Sequence, residues 1–248
     1  MRHRSCSGPL QRAVTDFGAD GSFAQAMDKL VEHYGVLLSE STIRRITEGH
    51  GQAIFETTAL QAGWPKAPGA EVLVVEMDGG MVPTVEPDLA QTDRRRGKRL
   101  QWKEAKICLA HVQGSRTLSY GGTMCGDVDA AGAQLFHCAS QVGFGTATQV
   151  HAVGDGAPWI AAQVERKFGA NGSYLIDFYH VCDYLSAASK ALCGDELSAR
   201  RWLYEQKDRL KDNGVNEVIA ALSAGLEASE IEDAQAPVRQ SPRLPHCP

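Results

Sequence analysis

Apolar residues recur along this chain with two different periods, and the change of period divides it into regions. Between residues 22 and 56 the spacing is helical. Phe23, Met27, Leu30, Val31 and Tyr34 fall at intervals of three and four, and Gly35 is placed to end that helix in a left-handed conformation. Ser39 or Ser41 can cap a second helix that carries Ile43, Ile46 and Ile54. The stretch YGVLLSESTIRRITEGHG therefore predicts helix, turn, helix. It sets Arg44 and Arg45 early on the second helix, where a recognition helix meets the DNA major groove. Its turn is longer than the tightest pattern of that kind, and an ordinary helical hairpin is the competing reading. The proline- and glycine-rich GWPKAPGA, residues 63–70, predicts a linker.

Beyond that linker, short strand-like runs alternate with helical ones. EVLVVEM (71–77) predicts a strand and Met81 to Val85 a short extended piece. KEAKICLAHV (103–112) and RTLSYGGTM (116–124) predict a hairpin turning at Gln113-Gly114-Ser115. Helix is predicted over 129–142, strand over 148–155, a helix from Pro158, strand over 174–177, and then a helix with Val181, Leu185, Ala188 and Leu192 inward. Strand, antiparallel hairpin, helix, strand, helix, strand, helix is the element order of the ribonuclease H-like fold. In that order the first and fourth strands are neighbours. Each of these two runs ends in aspartate followed by glycine, Asp78 in VLVVEMDGG and Asp155 in VHAVGDGAPW. Paired carboxylates at adjoining strand ends are suited to holding Mg²⁺, or Mn²⁺, for in-line phosphoryl transfer, since hard cations take oxygen ligands.

Composition changes this picture little, and charge distribution changes it more. The chain has 248 residues, 43% hydrophobic and 22% charged, and no apolar run long enough to span a bilayer. Seven cysteines without a CxxC pair predict reduced core thiols rather than disulfides or zinc ligands. Net charge is −5, but DRRRGKRLQWKEAK gathers Arg94, Arg95, Arg96, Lys98, Arg99, Lys103 and Lys106 around Trp102. Arginine and lysine can neutralise phosphates, and tryptophan can stack on an unpaired base. From residue 195 to about 232 the pattern is helical. The last twelve residues hold four of the ten prolines, which predicts a disordered tail over 233–248.

With these motifs assembled, DGG after a first strand, GDGAPW after a later one and LIDFYHVCDYL after the last, the chain resembles bacterial insertion-sequence transposases of the DDE class, in the branch related to Mutator-like elements. The resemblance covers roughly residues 8–230. It implies a helical DNA-binding region over 1–62, a ribonuclease H-like mixed-sheet catalytic core over 71–194, and part of a helical insertion over 195–232. It also implies catalytic, metal-binding roles for Asp78 and Asp155, with Asp177 and His180 of the D-x-x-H signature in support. Partners would be double-stranded DNA bearing terminal inverted repeats, and further copies of the chain, at a cytoplasmic, nucleoid-associated location with no membrane. The catalytic glutamate of such enzymes has no match before Pro248, so the expectation is a truncated transposase lacking its third acid. The alternative is a DNA-binding protein without catalysis.

Overall fold

The computed structural model describes residues 6–61, 63–88, 97–124, 126–232 and 235–240, which fall into two units divided between Ala59 and Leu60. The first unit holds α1 (Gly8–Asp20), α2 (Phe23–Tyr34) and α3 (Glu40–Thr57). A serine opens each: Ser7, Ser22 and Ser39 accept from the backbone N–H groups of Leu10, Gln25 and Thr42, donors that would otherwise lack a partner. Gly35, at φ 64°, closes α2 in the left-handed region. Val14, Ala26, Leu30, Ile43 and Ile46 meet in a small core. Ile54, expected to join them, is 64% exposed. The cause is length: α3 runs for 18 residues against 13 and 12 in α1 and α2, so its last turns extend past the two helices it packs on in this unit. Helix α1 sets Leu10, Val14 and Phe17 at intervals of four and three toward the same core.

The second unit is α/β. Its elements are β1 (Val72–Pro87), β2 (Lys98–Val112), β3 (Ser119–Met124), α4 (Val128–Gln141), β4 (Gln149–Gly154), α5 (Pro158–Phe168), β5 (Gly172–Ile176), α6 (Phe178–Leu192), α7 (Glu196–Lys211), α8 (Val215–Ser223) and α9 (Pro237–Gln240). The five strands form one mixed sheet in the order β3-β2-β1-β4-β5. β3, β2 and β1 are antiparallel to their neighbours, whereas β1, β4 and β5 run parallel. The extended piece expected over 81–85 is the outer half of β1, continuous with the strand before it.

Alternation along the strands decides what is buried. Leu73, Val75, Met77, Cys108, Ala110, Val150 and Ala152 face α4 and α5, which supply Leu135, Phe136, Ala139, Ile160, Val164 and Phe168. Phe144 meets Phe168 edge-on with centroids 5.1 Å apart. The segment expected as a linker, 63–70, is instead built into this unit. Trp64 packs edge-on against Phe144 at 5.2 Å, and the Ala67 and Pro68 carbonyls accept from Thr146 and Ala147. Gly69 and Gly145 cross so closely that a Cβ on Gly69 would lie 2.4 Å from the Gly145 nitrogen.

Helices α6, α8 and α9 form a separate cluster through Val181, Leu185, Ala188, Val218, Leu222 and Val238. The tail expected to be disordered from 233 is therefore ordered over 235–240. Ala236 and Val238 are 0% and 1% exposed, and the Glu227 carboxylate accepts from the backbone N–H groups of Val238 and Arg239. Two apolar side chains and one capping carboxylate outweigh the local absence of any period. Residues 241–248 lie outside the described residues. Phe168 is the largest fully buried side chain, so Phe168→Ala should lower unfolding free energy by about 3–5 kcal/mol in urea titrations.

Candidate functional site

Strand register decides where the expected carboxylates stand. Glu76 pairs with Val153 across β1 and β4, and Gly154 with Ile176 across β4 and β5. Carried onward, this register brings Asp78 level with Asp155 and Asp155 level with Asp177. Asp155 and Asp177 follow the last residues of β4 and β5, whereas Asp78, expected at a strand end, lies inside β1, which stays paired with β2 beyond it. Because side chains alternate, Glu76 and Asp78 project from the face opposite α4 and α5. A cleft of about 500 Å³ lies there, lined by Asp78, Asp155, Asp177 and His180 at one side and by Ile107 and Tyr120 at the other. Its apolar wall is open to solvent, Ile107 and Tyr120 being 61% and 68% exposed.

Each acid is held by a backbone donor close in sequence. Asp78 Oδ1 accepts from the Gly79 N–H at 2.7 Å, and Asp155 Oδ1 from the Ala157 N–H at 2.8 Å. Asp177 caps α6, accepting from Tyr179 and His180 at 2.8 and 3.3 Å. His180 Nδ1 lies 3.5 Å from Asp177 Oδ1, with the imidazole 52% exposed. Asp177 is thus occupied in building a helix start and in orienting His180. Asp78 and Asp155 each use only one oxygen in a hydrogen bond among the described residues. Oxygen-only donors of this kind fit a hard divalent cation. Among the described residues, no three acid, histidine or cysteine side chains stand close enough together to form a ligand set.

No family model matches the chain, and no curated protein matches its sequence.

Sequence reasoning singled out neither Glu76 in the cleft nor Tyr174 behind the turn at its rim. Glu76 lines the cleft beside Asp78; the period-two pattern VVEMD carries that information, since residues two apart on a strand share a face. Tyr174 reaches under Gly154, where a Cβ would stand 2.8 Å from its hydroxyl, and accepts from the Gly156 N–H at 2.9 Å. It thereby fixes the turn that presents Asp155, and only the fold brings β5 beneath that turn.

The expected nucleic-acid contacts lie in several places. Arg44 and Arg45 are exposed on α3 in the first unit, Arg44 pairing with Glu48 at 2.9 Å. In the second unit Lys98, Arg99 and Trp102 are exposed, while Lys103 pairs with Glu86. Arg94, Arg95 and Arg96 lie outside the described residues. Lys106 belongs to the scaffold: it is 6% exposed and donates to Glu104 at 2.5 Å and to the Gly126 carbonyl at 3.2 Å. No described helix is long and apolar enough to cross a membrane.

Burial raises the Tyr174 phenol above its ordinary range; the Gly156 N–H opposes that rise and the Asp155 charge adds to it. The folded state therefore holds this proton more tightly than the unfolded chain. Its contribution to stability is complete below about pH 10 and is lost as pH rises through the folded value. Tyr174→Phe should cost about 1–3 kcal/mol at neutral pH by stranding the Gly156 N–H. Between about pH 9 and pH 11 it should lose less stability than the wild type, as read from denaturant midpoints.

Proposed function

We propose that this chain is a DNA-handling protein of the transposase type. In this reading the second unit is a ribonuclease H-like core and the first a helix-turn-helix-like DNA-binding region. Asp78 and Asp155 hold Mg²⁺ or Mn²⁺. The observation that carries the reading is that both aspartates line one cleft, level with each other just past the point where the parallel pairing of β1 and β4 ends. The sheet order β3-β2-β1-β4-β5, with an antiparallel hairpin leading into parallel strands, supports the ribonuclease H-like assignment. Fold alone does not carry an activity; the donor chemistry of the two carboxylates does.

When bound, the metal would supply positive charge to a phosphate undergoing in-line displacement. The chain's own residues do the rest. Asp78 and Asp155 fix the position of that charge, and Asp177 sets the first turn of α6 so that His180 stands at the edge of the cleft. Arg44, Arg45, Lys98, Arg99, Lys103 and Trp102 contact DNA, the cations on phosphates and the indole on bases. The second reading is a DNA-binding protein that occupies element ends without catalysis.

Calorimetry with Mn²⁺ should record binding to the wild type that disappears in Asp78→Asn and in Asp155→Asn. Equal heats from all three proteins would remove the metal site. Incubation with Mn²⁺ and duplex carrying terminal inverted repeats should yield bound but uncut DNA; accumulation of nicked product would restore a full catalytic role.

A further inference from the structure

Beyond Gly80 and Ala105 the sheet narrows to two strands. β4 pairs with β1 only as far as Glu76, and β3 with β2 only as far as Ala105, whereas β1 and β2 stay paired out to Pro87 and Lys98. The result is an antiparallel ribbon on the order of 20 Å long at about 3.4 Å per residue. The pairs Met81–Glu104, Pro83–Trp102 and Val85–Leu100 share one face. Val82–Lys103, Thr84–Gln101 and Glu86–Arg99 share the other. The first face continues the row Leu73, Val75, Met77 that the helices cover. That cover ends at Trp159, whose ring lies against Gly79 and Lys106. Farther out, Met81, Val85, Leu100 and Trp102 are 57%, 63%, 60% and 59% exposed. A two-stranded hairpin is marginal alone, and a contiguous apolar strip in water marks a contact surface.

Charge selects the partner. Within the paired strands the acids Glu86 and Glu104 are each matched by a lysine, Lys103 and Lys106. Lys98, at the outer end of the apolar face, and Arg99 beside it are both exposed. A chain of net charge −5 thus presents cations where its apolar strip reaches farthest from the sheet, which suits a polyanion with apolar interior surfaces. A two-stranded ribbon fits a DNA groove, and apolar wedges on such elements part base steps. A second copy of the chain is a poorer occupant. Five side chains on two strands fall short of the roughly 800 Å² that each partner contributes to a standard interface.

We infer that the ribbon is an arm that grips and bends double-stranded DNA. Lys98 and Arg99 hold phosphates, and the face of Met81, Pro83, Leu100 and Trp102 wedges against base steps. This rests on the reading of the chain as a DNA-handling protein. The test uses the full chain and a duplex of about 30 base pairs labelled at both ends, with energy transfer reporting bending and anisotropy reporting binding over a salt series. All substituted positions are exposed, and unchanged thermal unfolding keeps the comparison on folded protein.

Leu100→Ser combined with Trp102→Ala should abolish bending and weaken binding about tenfold. Lys98→Ala combined with Arg99→Ala should keep the bend at saturation while the log–log salt slope falls by about 2. Wild-type binding without bending, or bending that survives loss of Leu100 and Trp102, overturns the arm and leaves the function standing. Failure of the wild type to bind duplex at all overturns both. Sedimentation showing a wild-type dimer that the Leu100/Trp102 variant dissolves, with bending unaltered, assigns the face to a second copy instead.

Discussion

The parallel pairing of β1 with β4, Val72 to Glu76 against Gln149 to Val153, is the constraint on which the rest depends. A strand has a side-chain period of two, so a slip of one residue would exchange its faces. Leu73, Val75 and Met77 would then leave the helices, and Glu76 and Asp78 would point into the core in their place. The register that builds the hydrophobic layer is thus the same one that sets Asp78 beside Asp155. Burial of three apolar side chains on β1 and two on β4 enforces it, at about 25 cal/mol per Å² of apolar surface removed from water. The acids contribute nothing to choosing it.

The two faces of the sheet consequently have different fates. One is closed by α4 and α5, with aromatic rings from α4, α5 and the loop between α4 and β4 in mutual contact. On the other, Ile107, Tyr120 and Leu175 are 61%, 68% and 43% exposed, and the cleft opens there.

β1 also passes through two environments along its length. Its inner half lies in the middle of the sheet and its outer half in a free ribbon, although its alternation continues unbroken. The transition is marked by a buried charge. Lys106, under the Trp159 ring, is matched by Glu104 and the Gly126 carbonyl. A lysine at 6% exposure demands such partners. What read in sequence as one more member of a basic run is therefore a polar plug at the end of the core.

The sequence by itself determined the elements and the candidate acids. Periods of two and of about three and a half residues placed the strands and most helices, and Asp78 and Asp155 stood out because glycine follows each where a strand was expected to end, although β1 runs on through Asp78. These are local signals, set by backbone sterics and side-chain alternation within a few residues. Tertiary structure decided what local signals cannot carry. It tied 63–70 to Phe144 and Gly145, ordered 235–240 against Glu227, and left Ile54 exposed beyond the ends of its partner helices. It also brought Tyr174 beneath Gly156 and withdrew Lys106 from solvent. Each of these depends on which distant surface a residue meets, and burial, unlike periodicity, is a property of pairs of segments far apart along the chain.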